Sequence, residues 1–127
     1  MTDEFFGELI HSYTRKEALE DGTLVDCTEL AREAGIKHPV AMTSAAWGRC
    51  VTLSSAAKRA GNDEKGRLWD IVWMLSLAMR RASGSEVAFQ VMCVTTSTRP
   101  SKVSLKAICG PGDQAEPVIT VMLPEED

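Results

Sequence analysis

The sequence predicts an α+β domain in which N-terminal helices and a long buried central helix pack on a C-terminal three-stranded antiparallel meander. Three observations carry this. Apolar residues in the first half recur at helical spacing between capping residues. Apolar side chains between Gly66 and Ala82 cover more than half the circumference of a helix. Beyond Glu86 the apolar period falls to two. With 127 residues, the chain has the size of one compact domain, so residues 1–127 are read as a single unit.

Each element has a local cause. Asp3 can cap a first helix through Ser12, whose Phe5, Phe6, Leu9 and Ile10 form an apolar stripe. Thr14 followed by Glu17 has the capping-box form, in which each side chain satisfies an amide at the helix start, and Gly22 can end that short helix. Leu24 to Cys27 reads as a short strand, and Thr28 and Gly35 bracket a second helix. Thr43 can cap a helix over SAAWGRCVTL, and the polar stretch Lys58–Gly66 reads as a loop. VAFQVMCV, KVSLKAIC and PVITVMLP, separated by turn-rich segments, supply the meander strands. The turn Gly110-Pro111-Gly112-Asp113 reads as a hairpin connection.

Charge is segregated along the chain. Residues 1–36 hold nine acids against three bases, residues 37–112 hold eleven bases against four acids, and the last fifteen residues are acidic again. The acidic start MTDEFFGELI lacks the basic region of a signal peptide, and no apolar stretch is long enough to span a bilayer, so a cytoplasmic protein is expected. Glu125, Glu126 and Asp127 read as a solvated tail. Cys27, Cys50, Cys93 and Cys109 are too widely spaced for the close pairs of a structural zinc site and sit among apolar neighbours, so each reads as a small buried hydrophobe. No metal or cofactor is expected.

Few residues point to catalysis. Cys27 with His38, or Ser12 near His11, are the available nucleophile pairs, and neither lies in a nucleophile-elbow or comparable motif. Residues 28–53 have the outline of a degenerate helix-turn-helix, with Ala31, Gly35 and Ile36 in suitable places, but Pro39 interrupts it and AMTSAAWG offers no base-reading side chain. Arg67, Trp69, Asp70 and Trp73 read as core and its polar edge.

The segments YTRKEALEDGTLVD, HPVAMTSAAW, GRLWDIVWM and GPGD followed by EPVITVMLPEED together resemble a small bacterial family of unknown function carried on plasmids, phages and other mobile elements. The likeness runs from Tyr13 to Asp127. It brings no catalytic residues, but its setting implies an antagonist of host defence. The leading expectation is therefore a non-enzymatic inhibitor of the anti-CRISPR or anti-restriction type. Its partner is a host protein complex such as a CRISPR effector or restriction enzyme, bound through an acidic face of Asp3, Glu4, Glu8, Glu17, Glu20 and Asp21. The alternative is a plasmid or phage DNA-binding regulator using residues 28–53 and the bases Arg49, Lys58 and Arg59.

Overall fold

The computed structural model describes residues 13–53, 55–59, 61–93 and 99–126. The helix expected from Asp3 to Ser12 lies outside these. The elements are α1 (Arg15–Asp21), β1 (Leu24–Asp26), α2 (Thr28–Glu33), β2 (Val40–Thr43), α3 (Ser44–Cys50), α4 (Ser55–Arg59), α5 (Glu64–Met79), β3 (Glu86–Cys93), β4 (Ser101–Pro111) and β5 (Pro117–Met122).

The three-stranded antiparallel meander is corrected by this structure. The sheet has five strands in the order β1-β2-β5-β4-β3. It is mixed, because β2 runs parallel to β5, with Val40 opposite Ile119 and Met42 opposite Val121. The pairs β1–β2, β5–β4 and β4–β3 are antiparallel. Residues 40–43, which carry no strand signal in the sequence, thus form an inner strand of the sheet. Its residues Val40, Ala41 and Met42 are all buried, so it shows none of the alternation that marks a strand open to water on one side.

Side-chain alternation sorts the sheet residues into two layers. Val40, Met42, Ile119, Val121, Leu105, Phe89 and Val91 face the main core, where they meet Ile71, Val72 and Leu75 of α5 and Ala46, Cys50 and Val51 of the α3 region. Fully burying a side chain of this size contributes roughly 1.5–3 kcal/mol, which makes this layer the main source of stability. Ala41, Val118 and Met122 are buried on the opposite face, together with Ala18 of α1. The guanidinium of Arg15 anchors α1 to that face by donating to the Thr120 hydroxyl at 2.8 Å and the Ile119 carbonyl at 2.9 Å.

Local chemistry fixes the helix ends. The Thr14 side chain accepts from the Glu17 amide at 3.0 Å while the Glu17 carboxylate accepts from the Thr14 amide at 3.0 Å, and Gly22 closes α1 in the left-handed region. Thr43 caps α3 through the Ala46 amide. Asp63 caps α5 through the Gly66 amide at 2.6 Å.

Several further expectations are revised. The helix α5 buries one stripe, Arg67, Ile71, Val72, Leu75 and Ser76, and leaves Trp73 42% and Met74 38% exposed, so it is not enclosed on several sides. Trp69 and Trp73 stack with ring centroids 6.0 Å apart along its outer edge. Part of the expected loop over residues 58–66 is helical, ending α4 and starting α5. Cys27, Cys50 and Cys93 are buried as expected, whereas Cys109 is exposed. Glu126 is no mere solvated end, since its carboxylate accepts from the Thr43 hydroxyl at 2.7 Å and the Leu123 amide at 2.8 Å.

Candidate partner-binding face

The edge strand β1 brings the first acidic block into three dimensions. It contacts α1, while α2, which follows it in the chain, packs on α5 and β2.

On the α1 side, the structure separates the residues that sequence grouped. Asp3, Glu4 and Glu8 lie outside the described residues. Glu17 is half-buried and committed to the capping box. Asp21 is exposed, accepting from the Tyr13 hydroxyl and from the Thr23 amide at 2.9 Å. The Tyr13 hydroxyl bond, with the Thr23 bonds behind it, holds the Asp21 carboxyl below the usual carboxylate range, so it stays charged. Glu20 is exposed on a groove of about 350 Å³ that it shares with Arg15, Lys16, Leu19, Asp113 and Glu116. In that mixed setting Asp113 accepts from the Arg15 and Lys16 amides at 2.8 and 2.9 Å, and those two bonds lower its pKa. The hairpin connection expected at Gly110–Asp113 falls later: Gly110 and Pro111 belong to β4, the turn spans residues 112–116, and its Asp113 closes the start of α1.

The α2 side carries the more concentrated charge, which sequence reasoning missed. Asp26, Glu29 and Glu33 line one groove of about 550 Å³ with Cys27, Leu30 and Leu68, and Lys65 is the base at its rim. All three carboxylates are exposed. Asp26 accepts from the Thr28 hydroxyl at 2.6 Å and its amide at 3.1 Å, which steers the chain from β1 into α2. Glu29 and Glu33 are four apart, so they share one helix face. That spacing in TELARE was the available signal. The apolar floor with a charged rim suits a partner surface that presents basic side chains over aliphatic stems.

Catalytic readings find weak geometry. The Cys27 thiol is buried and donates to the Val25 carbonyl at 3.4 Å. Burial, reinforced by the Asp26 charge, pushes its pKa up to about 12, the opposite of an activated nucleophile. His38 is exposed and lines a different cavity, of about 280 Å³, with Lys37, Ser76 and Arg80. The pair with Ser12 and His11 lies outside the described residues. Residues 28–53 fold as α2, β2 and α3, with a sheet strand between the helices, so the helix-turn-helix expected there is not formed. Among the described residues no group of three or more His, Cys, Asp or Glu is arranged to hold a metal ion, and no helix is long and apolar enough to cross a membrane.

The fold and this face define a small α+β protein built on a five-stranded mixed sheet, with an acidic groove along one edge. The chain belongs to a family of unknown function, DUF6573, whose model matches residues 1–127. No curated protein and no solved structure matches it.

Proposed function

We propose that this protein is a non-enzymatic inhibitor that binds a host defence complex through its acidic β1 edge. The observation that carries the reading is the groove where Asp26, Glu29 and Glu33 converge over an apolar floor. Glu20 faces a separate groove of mixed charge with Arg15, Lys16, Asp113 and Glu116, so the α2 side carries the proposed contact. A complex that handles DNA or RNA must present basic surface, and an acidic face competes for that surface by steering and charge complementarity. The mobile-element setting implied by the resemblance selects defence complexes, a CRISPR effector or a restriction enzyme, among such partners.

The test is plasmid transformation of bacteria with active restriction or CRISPR immunity that express either the chain or its Glu29→Lys/Glu33→Lys variant. These two positions leave the Asp26–Thr28 contacts intact. The wild-type chain is expected to restore entry of a targeted plasmid in one of the two hosts, and the folded variant to lose that effect at least tenfold, about 1.4 kcal/mol of binding. No restoration in either host, or equal restoration by both proteins, contradicts the proposal.

A further inference from the structure

β3 is the outermost strand of the sheet, and among the described residues it pairs with β4 alone. The Cys109 amide donates to the Ser85 carbonyl at 2.7 Å, and the antiparallel register runs on from there without a bulge, with Val87 opposite Ala107 and Phe89 opposite Leu105. Hydrogen-bonded pairs alternate in such a ladder. Ser85, Val87, Phe89 and Val91 therefore turn their main-chain groups to β4, and Glu86, Ala88, Gln90 and Met92 turn theirs outward. An edge of this kind is normally blunted by brevity, a lysine, a proline or a bulge. The other edge strand, β1, has only three residues and ends in Asp26. β3 has eight residues and none of these devices, with Glu86 at its start as its one charge.

Apolar surface collects beside the same edge. Of the five large hydrophobic side chains exposed among the described residues, Met92 lies on β3, and Trp73 and Met74 lie on α5, the helix that packs on β3. Met74, Leu77 and Arg81 of the α5 side and Val87 and Phe89 of β3 line a groove of about 510 Å³ there. The Arg81 amide donates to the Ala78 carbonyl at 3.1 Å, which carries the last turn of the helix on to that residue. Asp70, Met74, Leu77 and Arg81 follow one another at steps of four, three and four positions, so they share one helix face. Along the axis that face reads acid, apolar, apolar, base. The order is complementary to itself when a second copy runs the opposite way.

We infer that β3 pairs antiparallel with β3 of a second copy of this chain across a twofold axis at Phe89, joining two sheets into one, while the two α5 helices meet through Asp70, Met74, Leu77 and Arg81. In this register Ala88 pairs with Gln90 of the other copy and Glu86 with Met92, so every outward main-chain group from Glu86 to Met92 finds a partner. Because α5 packs on β3 itself, strands set side by side bring the helices side by side. Met74 then faces Leu77 and Asp70 faces Arg81, each contact occurring twice, as an interface built on a twofold axis requires. Parallel helices would instead set Asp70 against Asp70 and Arg81 against Arg81, which opposes association. β1 lies at the far end of the strand order, so the pairing leaves the groove of Asp26, Glu29 and Glu33 open on both copies.

The test is sedimentation equilibrium of the full chain over a roughly hundredfold range of concentration up to about 100 μM, where the mass is expected to rise from 13.8 kDa toward twice that value. Asp70→Arg and Arg81→Asp, each alone, set like charges together and weaken association about tenfold or more. Mixed in equal amounts, the two variants associate again, because both charge pairs of the mixed dimer are opposite. Gln90→Pro removes an outward amide and puts a ring on the pairing edge while sparing the ladder to β4, so it remains a monomer. In the wild type the Ala88, Gln90 and Met92 amides, followed singly by NMR, exchange with deuterium more slowly as concentration rises. A mass of one chain throughout the range overturns the proposal. So does a dimer indifferent to Gln90→Pro and to both charge reversals. Edge amides protected equally at every concentration in a monomer also overturn it, and assign the edge to residues 1–12 of the same chain.

Discussion

Leu75 and Met74 are adjacent in sequence but differ in burial on α5, so truncating each measures which face of the helix sustains the fold. Leu75 is 0% exposed and sits in the main core, whereas Met74 is 38% exposed. Leu75→Ala removes three carbon atoms from a dry site, a transfer loss of about 2.4 kcal/mol at ~0.8 kcal/mol per methylene. The cavity left behind brings the cost to about 3–4 kcal/mol, since a close-packed layer between helix and sheet collapses only in part. Met74→Ala removes a side chain that already meets water and costs under about 1 kcal/mol. Urea unfolding followed by tryptophan fluorescence, with Trp47, Trp69 and Trp73 as reporters, reads the difference as a shift of midpoint at unchanged slope. At roughly 3–5 °C per kcal/mol for a chain of this size, the same contrast appears as about 10–15 °C in melting temperature. Equal losses at the two positions, or a larger loss at Met74, refute the one-faced burial of α5.

Three other outcomes follow from local geometry. Gly35 has a φ of 95° just after α2, where the Ile36 amide returns to the Ala31 carbonyl, so Gly35→Ala is expected to cost about 1–2 kcal/mol in the same urea assay, and a neutral result contradicts the strain. Asp21 and Asp113 have folded pKa values below their unfolded ones, so their stabilisation is present above the unfolded value near 4 and drains away as pH falls through the lowered folded values. The urea midpoint should therefore drop between pH 5 and pH 2, less steeply in Asp113→Asn, and an equally steep drop in that variant removes Asp113 from the explanation. Toward a bulky disulfide reagent, exposed Cys109 should react at once and Cys27 only on unfolding, because burial holds the Cys27 thiol neutral. Prompt labelling of Cys27 in the native protein contradicts its placement.

Much of the local structure is legible in the residues, and the long-range pairing is not. Thr14, Glu17 and Gly22 mark both ends of α1 because capping is a contact between near neighbours. Thr43 marks the start of α3 for the same reason. The strands β3, β4 and β5 announce themselves by alternation, most clearly β3, where Phe89, Val91 and Cys93 are buried between exposed Ala88, Gln90 and Met92. The short strand β2 carries no such mark. Covered on both faces, Val40, Ala41 and Met42 make an apolar run that periodicity cannot distinguish from a helix approach, and their partners Ile119, Thr120 and Val121 come from the far end of the chain.

The candidate face divides along the same line. Sequence located the acidic block but grouped its members by proximity along the chain, which placed Glu17 among partner-facing residues although its carboxylate holds the α1 cap. The convergence of Asp26, Glu29 and Glu33 depends on the turn from β1 into α2 and on Leu68 of α5 as floor. Only the helical spacing of Glu29 and Glu33 was visible beforehand.

The most direct measurement of the central claim titrates the purified chain into a CRISPR effector or a restriction enzyme holding a labelled DNA duplex and records release of the DNA. The account predicts release by the wild-type chain that weakens as salt is raised, with Glu29→Lys/Glu33→Lys needing at least tenfold more protein for the same effect. DNA that stays bound to both complexes, or release that is indifferent to the two charge reversals, contradicts it.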